Sequence, residues 1–507
     1  MRILISALLL MGVAVFAKEN SVLTYIITET GRPTSIDPLD ADQTQNLPVA
    51  RMLYATPVEL DSSDNLKSSI LKSFSYDTTT RTMKWQIKEG TTFSDGSPIT
   101  TRDIELAVTR MIHARPGFPV IEKINGAAEW LRSEKPLEGR PSGIKSTKSE
   151  ITIQFSSEVE RPLVRFSLEI FSIIPAKCID LKTGKLLCEN IPSSGPYIKG
   201  SDDGKSIVFK KRSFSTGPFM EIADQIQFKY LTTSEFISSL KSIDDKTIVA
   251  GNQIQYETSA LSQLQESGKK VDLPAARFAA LQINPTLKPF DEKACRFQVA
   301  EKFRENFAKL GKNTISPQSS LFTKLLPGYM SQEELRSKGS AENRKDCKKS
   351  LQGKEVNWGY LESESTGLFA SALRQTLDDL GIVGKAKSFE NRKALANAFS
   401  DGLIAFMGGS SGFWAFDPAG DLQMLFTPNL HKPLRFLSED ANLQTLIREA
   451  KSQKSARAFQ AVNQYIYDLG LFNVYAHTRR FYWSRNKALL KEARFGTTAP
   501  APWEVFE

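Results

Sequence analysis

Phe93-Ser94-Asp95-Gly96-Ser97-Pro98-Ile99-Thr100-Thr101-Arg102-Asp103-Ile104 is the stretch from which the fold is read. Asp95-Gly96 suits a tight turn, because glycine accepts a positive φ. Pro98 stiffens the exit. Thr100 and Asp103 form a T-x-x-D start, whose side-chain oxygens can meet the free N–H groups of a first helical turn. Behind them Ile104, Ala107, Val108, Met111 and Ile112 recur at helical spacing, which predicts a helix over Asp103–Ile112. Ahead of the turn, Met83-Lys84-Trp85-Gln86-Ile87 alternates with period two and reads as a strand.

The same interleaving continues in both directions. Strand patterns occupy Leu23–Thr28, Ile151–Phe155 and Ile207–Lys210, and Leu66–Thr82 reads as loop, strand and turn. Phe369–Leu380 carries apolar residues at 369, 373, 377 and 380 and is followed by Gly381, a left-handed C-cap candidate. Ala441–Lys451 and Ala458–Leu469 are two more amphipathic helices. Strands and helices alternate to the end of the 507 residues without repeat or low-complexity tract, so the fold class is α/β.

The quoted stretch closely resembles the F-x-D-G-x-P-x-T-A-x-D-V signature of extracellular solute-binding family 5, the oligopeptide-, dipeptide- and nickel-binding proteins that serve ABC importers; Thr101 departs from the usual Ala. The similarity continues along the chain in family order. Ser35-Ile36-Asp37-Pro38, Val58-Glu59-Leu60, Ser194-Gly195-Pro196-Tyr197, Leu281–Asn284 with Pro289-Phe290-Asp291 and Arg296, Leu326-Pro327-Gly328, Leu373–Ile382 and Asp417-Pro418 with Leu422 and Leu425-Phe426 each match a family motif. The resemblance implies a large, cluster C-like type II, two-lobed periplasmic binding protein fold with an extra inserted domain. It implies a first lobe in three pieces (18–48, 186–277 and 478–507), an inserted domain over 49–185 and a second lobe over 278–477. Two chain crossings between the lobes would act as a hinge, and closure would bury the ligand.

By the same resemblance, an extended ligand pairs with a short strand ahead of the D-P dipeptide, here Ser410-Ser411-Gly412-Phe413-Trp414, and faces Ala41-Asp42-Gln43-Thr44. Thr44, Ser410, Gly412, Phe413, Trp414 and Asp417 are therefore the expected ligand-binding residues. Peptide-binding members carry W-x-x-D-Y-x-D-P, whose first Asp takes the ligand's terminal amine. In ungapped register that position holds Trp414, which puts recognition of a free amine in doubt. Gly408-x-Ser410-x-Gly412 is also a G-x-S-x-G pattern, with a strand expected over Leu403–Met407 and His477 late in the chain; a serine hydrolase is the leading enzymatic alternative. Phe413–Pro418 is a poor first helical turn for such an elbow, so no enzymatic activity is expected. A receptor for a membrane sensor is the other alternative.

Met1-Arg2, the apolar run Ile3–Val15 and the small residues Val15-Phe16-Ala17 form a signal-peptide pattern, with cleavage expected after residue 17. The run is too short to span a bilayer, which takes about 20 residues. With no Cys near the cleavage site, an unlipidated periplasmic protein is expected. Net charge is +9, but its Lys and Arg are dispersed, unlike a nucleic-acid-binding face. Four cysteines allow three pairings; in an oxidising compartment the local ones are expected, Cys178–Cys188 and Cys295–Cys347. No C-x-x-C occurs, and the three histidines, His113, His431 and His477, lack ligand spacing, so no cofactor and no directly bound metal are expected. The expected partners are a peptide or small-molecule ligand and an inner-membrane ABC permease, with the protein itself a monomer.

Overall fold

The computed structural model describes residues 22–28, 32–33, 35–40, 46–60, 65–116, 118, 120–133, 136–159, 161–212, 223–252, 258–272, 277–311, 318–361, 367–390, 392–413, 418–427, 434–478, 480–487 and 490. Three larger sheets organise them. The first has seven strands in the order β12-β18-β11-β1-β10-β9-β8: β1 (Val22–Ile27), β8 (Tyr197–Asp202), β9 (Ser206–Lys211), β10 (Gln225–Tyr230), β11 (Thr247–Asn252), β12 (Lys269–Asp272) and β18 (Arg480–Ser484). Its central strand β1 lies parallel to both β10 and β11, and Tyr25, Ile26 and Ile27 are buried there. A strand enclosed on both sides reads as the continuous apolar run seen in the sequence.

The second sheet is antiparallel, β4-β5-β7-β6: β4 (Leu71–Asp77), β5 (Thr82–Ile87), β6 (Ile144–Ser146) and β7 (Glu150–Gln154). A small pair, β2 (Glu59–Leu60) and β3 (Leu66–Lys67), precedes it. Met83 and Trp85 of β5 are buried, as their alternation predicts, and the Trp85 ring meets Phe166 edge-on at 5.0 Å. One continuous cluster of buried side chains runs from Leu23 and Tyr25 of the first sheet to Trp85, Ile104 and Ile153 of the second, so these two sheets share a core.

The third sheet, β15-β14-β16-β13-β17, stands apart: β13 (Arg277–Ile283), β14 (Glu355–Leu361), β15 (Val383–Phe389), β16 (Phe406–Gly412) and β17 (Phe472–Thr478). Leu281 and Phe406 pack on one face with the helices Lys293–Leu310 and Leu368–Asp379. Phe278, Ala280 and Val474 pack on the other with Pro418–Leu425, Ala441–Gln453 and Ala456–Leu469. The molecule is thus a two-lobed α/β protein. The chain passes from the first sheet to the third between β12 and β13 and returns between β17 and β18. Cys178 is bonded to Cys188 and Cys295 to Cys347, the local pairing. Among the described residues no helix is long and apolar enough to cross a membrane.

Candidate functional site

The strand β16 has the sequence Phe-Met-Gly-Gly-Ser-Ser-Gly, whose second half has little intrinsic preference for a strand. It is held extended by β13, which pairs with all seven residues from Arg277↔Gly412 to Ile283↔Phe406. On its other side β14 pairs only with Phe406 and Met407. From Gly408 to Gly412 the second edge of β16 therefore has no strand partner among the described residues. Arg392 reaches that edge, its Nη1 donating to the Gly408 carbonyl at 3.1 Å. A Cβ on Gly409 would lie 2.6 Å from Gln282 Nε2, so glycine is what the close approach of that side chain permits.

This placement corrects one expectation. The strand does not end at Met407 ahead of a turn; Gly408–Gly412 lies inside it. Ser410 is an exposed mid-strand residue opposite Ala279, not a nucleophile on a strand-to-helix elbow. His477 lies on the far side of β13, opposite Phe278, and its Nε2 is 2.8 Å from the Ser320 carbonyl. Neighbouring positions of one strand face opposite sides of the sheet. Ser410 and His477 consequently point to opposite faces with a strand between them and form no hydrolytic pair.

Of the other expected ligand residues, Gly412 is the last residue of β16, opposite Arg277. Phe413 is 2% exposed, its ring stacked on Phe322 at 5.0 Å and 5.9 Å from Phe278; it serves the core of its lobe. Thr44, Trp414 and Asp417 lie outside the described residues.

Pro418 opens the helix Pro418–Leu425, and that helix touches the other lobe. Asp421 is 2% exposed and its Oδ1 lies 3.1 Å from Nη1 of Arg165, on the short helix Pro162–Arg165. Gln423 donates to Glu122 at 3.1 Å and accepts from Lys451. Met424 packs against the core shared by the first two sheets. Sequence reasoning missed this contact. Its signal was a single charge within each of two apolar runs, Pro162–Phe166 and Pro418–Phe426, the mark of a buried pair.

The motifs that prompted the family resemblance do structural work elsewhere. Asp37 accepts from both guanidinium nitrogens of Arg110 and from the Leu39 N–H. Tyr54 is buried with no partner for its hydroxyl among the described residues, and burial, reinforced by Asp37, pushes the phenol well above its ordinary range. Asp103 accepts from the Thr100 N–H at 2.7 Å, from the Thr100 hydroxyl at 2.6 Å and from the Ala176 N–H at 2.7 Å. Asp95 accepts from Lys177 at 2.7 Å and from Ser97, which together hold its carboxyl down at about 2. A surface cavity of about 800 Å³ in the second lobe, lined by Phe297, Glu301, Arg336 and Tyr467, shares no residue with β16. Glu292 stands beside Cys295 and Cys347, but the sulfurs are joined to each other and present no thiolates.

Residues 65–431 match the family described as bacterial extracellular solute-binding proteins, family 5 Middle. The chain belongs to that family. As a family-5 protein it superposes over nearly its whole length on solved relatives of low sequence identity. Haemophilus influenzae OppA, in complex with the peptide RPPGFSPFR, aligns with a TM-score of 0.74 at 12% identity, over 96% of this chain and 99% of that one. The Escherichia coli murein tripeptide binding protein MppA aligns with a TM-score of 0.74 at 14% identity, over 96% and 97%. AgaA from A. tumefaciens R10, in complex with agropinic acid, gives 0.72 at 14%, over 96% and 98%. At such identities the likeness speaks for the fold, and it gives this family-5 chain the two-lobed periplasmic binding protein architecture.

Proposed function

We propose that this family-5 protein captures a peptide or peptide-like ligand between its lobes and delivers it to an inner-membrane ABC importer. The observation that carries the reading is the edge of β16 from Gly408 to Gly412, which no strand covers among the described residues. An extended chain laid there gains backbone hydrogen bonds that read no side-chain identity, which is how strand addition binds varied sequences. The OppA relative is in complex with a peptide and the AgaA relative with agropinic acid, so a peptide-like ligand lies within the range of this fold. The two crossings between lobes would act as the hinge, and the contact of the Pro418 helix with Arg165 as the closed contact, that a clamp needs. In this reading the first lobe comprises 18–48, 186–277 and 478–507, with 49–185 inserted and 278–477 as the second lobe. The chain is exported through a signal peptide cleaved after residue 17 and works in the periplasm as a monomer, without enzymatic activity.

Trp414, at the position where peptide-binding members carry the amine-binding carboxylate, points to a ligand without a free terminal amine. An aromatic face attracts a cation by only about 0.5–2 kcal/mol, less than a hydrogen-bonded carboxylate does. The test compares thermal stabilisation of the protein by a random tri- to pentapeptide pool with that by its N-acetylated version. The N-acetylated pool should stabilise at least as strongly. Stabilisation by free-amine peptides alone, abolished in Asp417→Ala, would assign the amine to Asp417 instead.

A further inference from the structure

Strand β13 is apolar from Phe278 to Ile283 with one exception, Gln282. The residue is 7% exposed, and its side-chain Oε1 is buried without a hydrogen-bond partner among the described residues. A buried acceptor left unsatisfied is destabilising, and apolar neighbours on the same strand show that the position does not require polarity for packing. Gln282 is paired with Met407, so its side chain shares a sheet face with Gly409 two residues further along β16. Its amide nitrogen occupies the space that a side chain on Gly409 would fill. The Gln282 side chain, with its unsatisfied Oε1, thus reaches β16 at Gly409, beside the start of the edge that no described strand covers.

We propose that Gln282 is a specificity-determining residue of the ligand site, and that its Oε1 accepts a hydrogen bond from a neutral amide N–H of the bound ligand. This rests on the reading of β16 as the ligand strand. A side-chain carbonyl is a strong acceptor but carries no charge, so it completes an amide and does not neutralise an ammonium. Together with Trp414 at the anchor position, a neutral residue at 282 favours an N-blocked, cyclic or otherwise amide-rich ligand over a short peptide with a free amine.

The test uses the full mature chain with Gln282→Leu and Gln282→Glu, and the N-acetylated and free-amine pools of tri- to pentapeptides as probes. Removing the orphan acceptor should leave the empty Gln282→Leu protein as stable as wild type or more so. The same change should raise the half-saturating concentration of the N-acetylated pool by about tenfold, the loss of one buried hydrogen bond. Gln282→Glu should shift preference toward the free-amine pool. A residue that merely holds the fold would behave differently, lowering the unfolding temperature of the empty protein and leaving pool preference unmoved; that result overturns the inference. Wild type stabilised by the N-acetylated pool with Gln282→Leu unchanged overturns the inference alone. Stabilisation of wild type by neither pool overturns the strand-pairing reading and the inference with it.

Discussion

The Phe93–Asp103 turn and the Phe406–Gly412 strand are both short, glycine-containing and rich in hydroxyl side chains, yet their polar groups end in different places. In the turn they are met within the lobe. Gly96 adopts φ +82°, Asp95 binds Ser97 and Lys177, and Asp103 binds Thr100 and Ala176. In the strand, the backbone edge from Gly408 to Gly412 has one neighbouring strand among the described residues, and Ser410 is exposed. The segment by which the family is recognised therefore holds the fold, while the segment proposed to meet the ligand carries no distinctive side-chain signature. A site that reads backbone can vary its side chains freely; a cap that closes a buried helix end cannot.

Mutations that separate stability from binding break or sharpen this contrast. The largest effect is expected at the contact just past the strand. Asp421→Asn removes the carboxylate that faces Arg165 across the lobes, a loss of about 3 kcal/mol. Ligand affinity should fall on the order of 100-fold, and small-angle scattering should show a larger radius at saturating peptide pool. The double variant Arg165→Leu/Asp421→Leu should recover part of the affinity, since both buried charges of the pair are then removed. An affinity unchanged in Asp421→Asn would mean that the contact has no part in closure.

The turn should behave in the opposite sense. Asp103→Ala removes the acceptor for two backbone N–H groups, those of Thr100 and Ala176, at a cost of about 2–3 kcal/mol. Denaturant unfolding should register that loss, while affinity for the peptide pool should change by less than about threefold, because the cap and β16 share no partner. A comparable loss of affinity would erase the distinction between the two segments. Next in size is Gly409→Ala. Its methyl group displaces the tip of Gln282, a flexible end that can move, so stability should hardly change, while affinity falls roughly fivefold, about 1 kcal/mol.

How much of this was legible in the sequence follows the range of the forces involved. The helix Thr101–Ala114 was readable because its cap, Thr100 with Asp103, and its apolar face are local. Strand β5 and the helices ending at Gly381 and Gly470 were readable for the same reason. The G-x-S-x-G pattern suggested a strand ending at Met407 and the family resemblance a strand over Ser410–Trp414, because Gly-Gly-Ser-Ser-Gly carries no strand preference of its own; pairing with β13, more than a hundred residues earlier, makes Phe406–Gly412 one strand. Arg165 and Asp421 are 256 positions apart, and Arg110 and Asp37 are 73 apart. A charge in an apolar run signals that a partner exists but not which one. Phe413 was read as a ligand contact from the family resemblance, and in the structure its ring packs on Phe278 and Phe322 in the core.

The smallest expected effect probes the turn itself through pH. Lys177 and Ser97 depress the Asp95 carboxyl from 3.8 to about 2. A carboxylate whose pKa is lower in the folded state contributes stability that is present above its unfolded value and lost as pH falls through the folded one. The Lys177–Asp95 contribution should thus be complete above about pH 5, mostly lost by pH 2 and gone near pH 1. Lys177 is 59% exposed and Asp95 34%, so solvent screens the pair and the magnitude stays within about 0.2–1 kcal/mol. Lys177→Met keeps the aliphatic stem and removes the charge. Its denaturant stability relative to wild type should be lower by a few tenths of a kcal/mol at pH 6, and the deficit should shrink to a small fraction of that at pH 2 or in about 1 M salt, where the Debye length is about 3 Å. A deficit that persists at pH 2 would assign the role of Lys177 to packing rather than charge. The turn would then be held by Asp103 and the backbone bonds Phe93 N–H to Ser97 and Gly96 N–H to Phe93, with Asp95 acting only through Ser97.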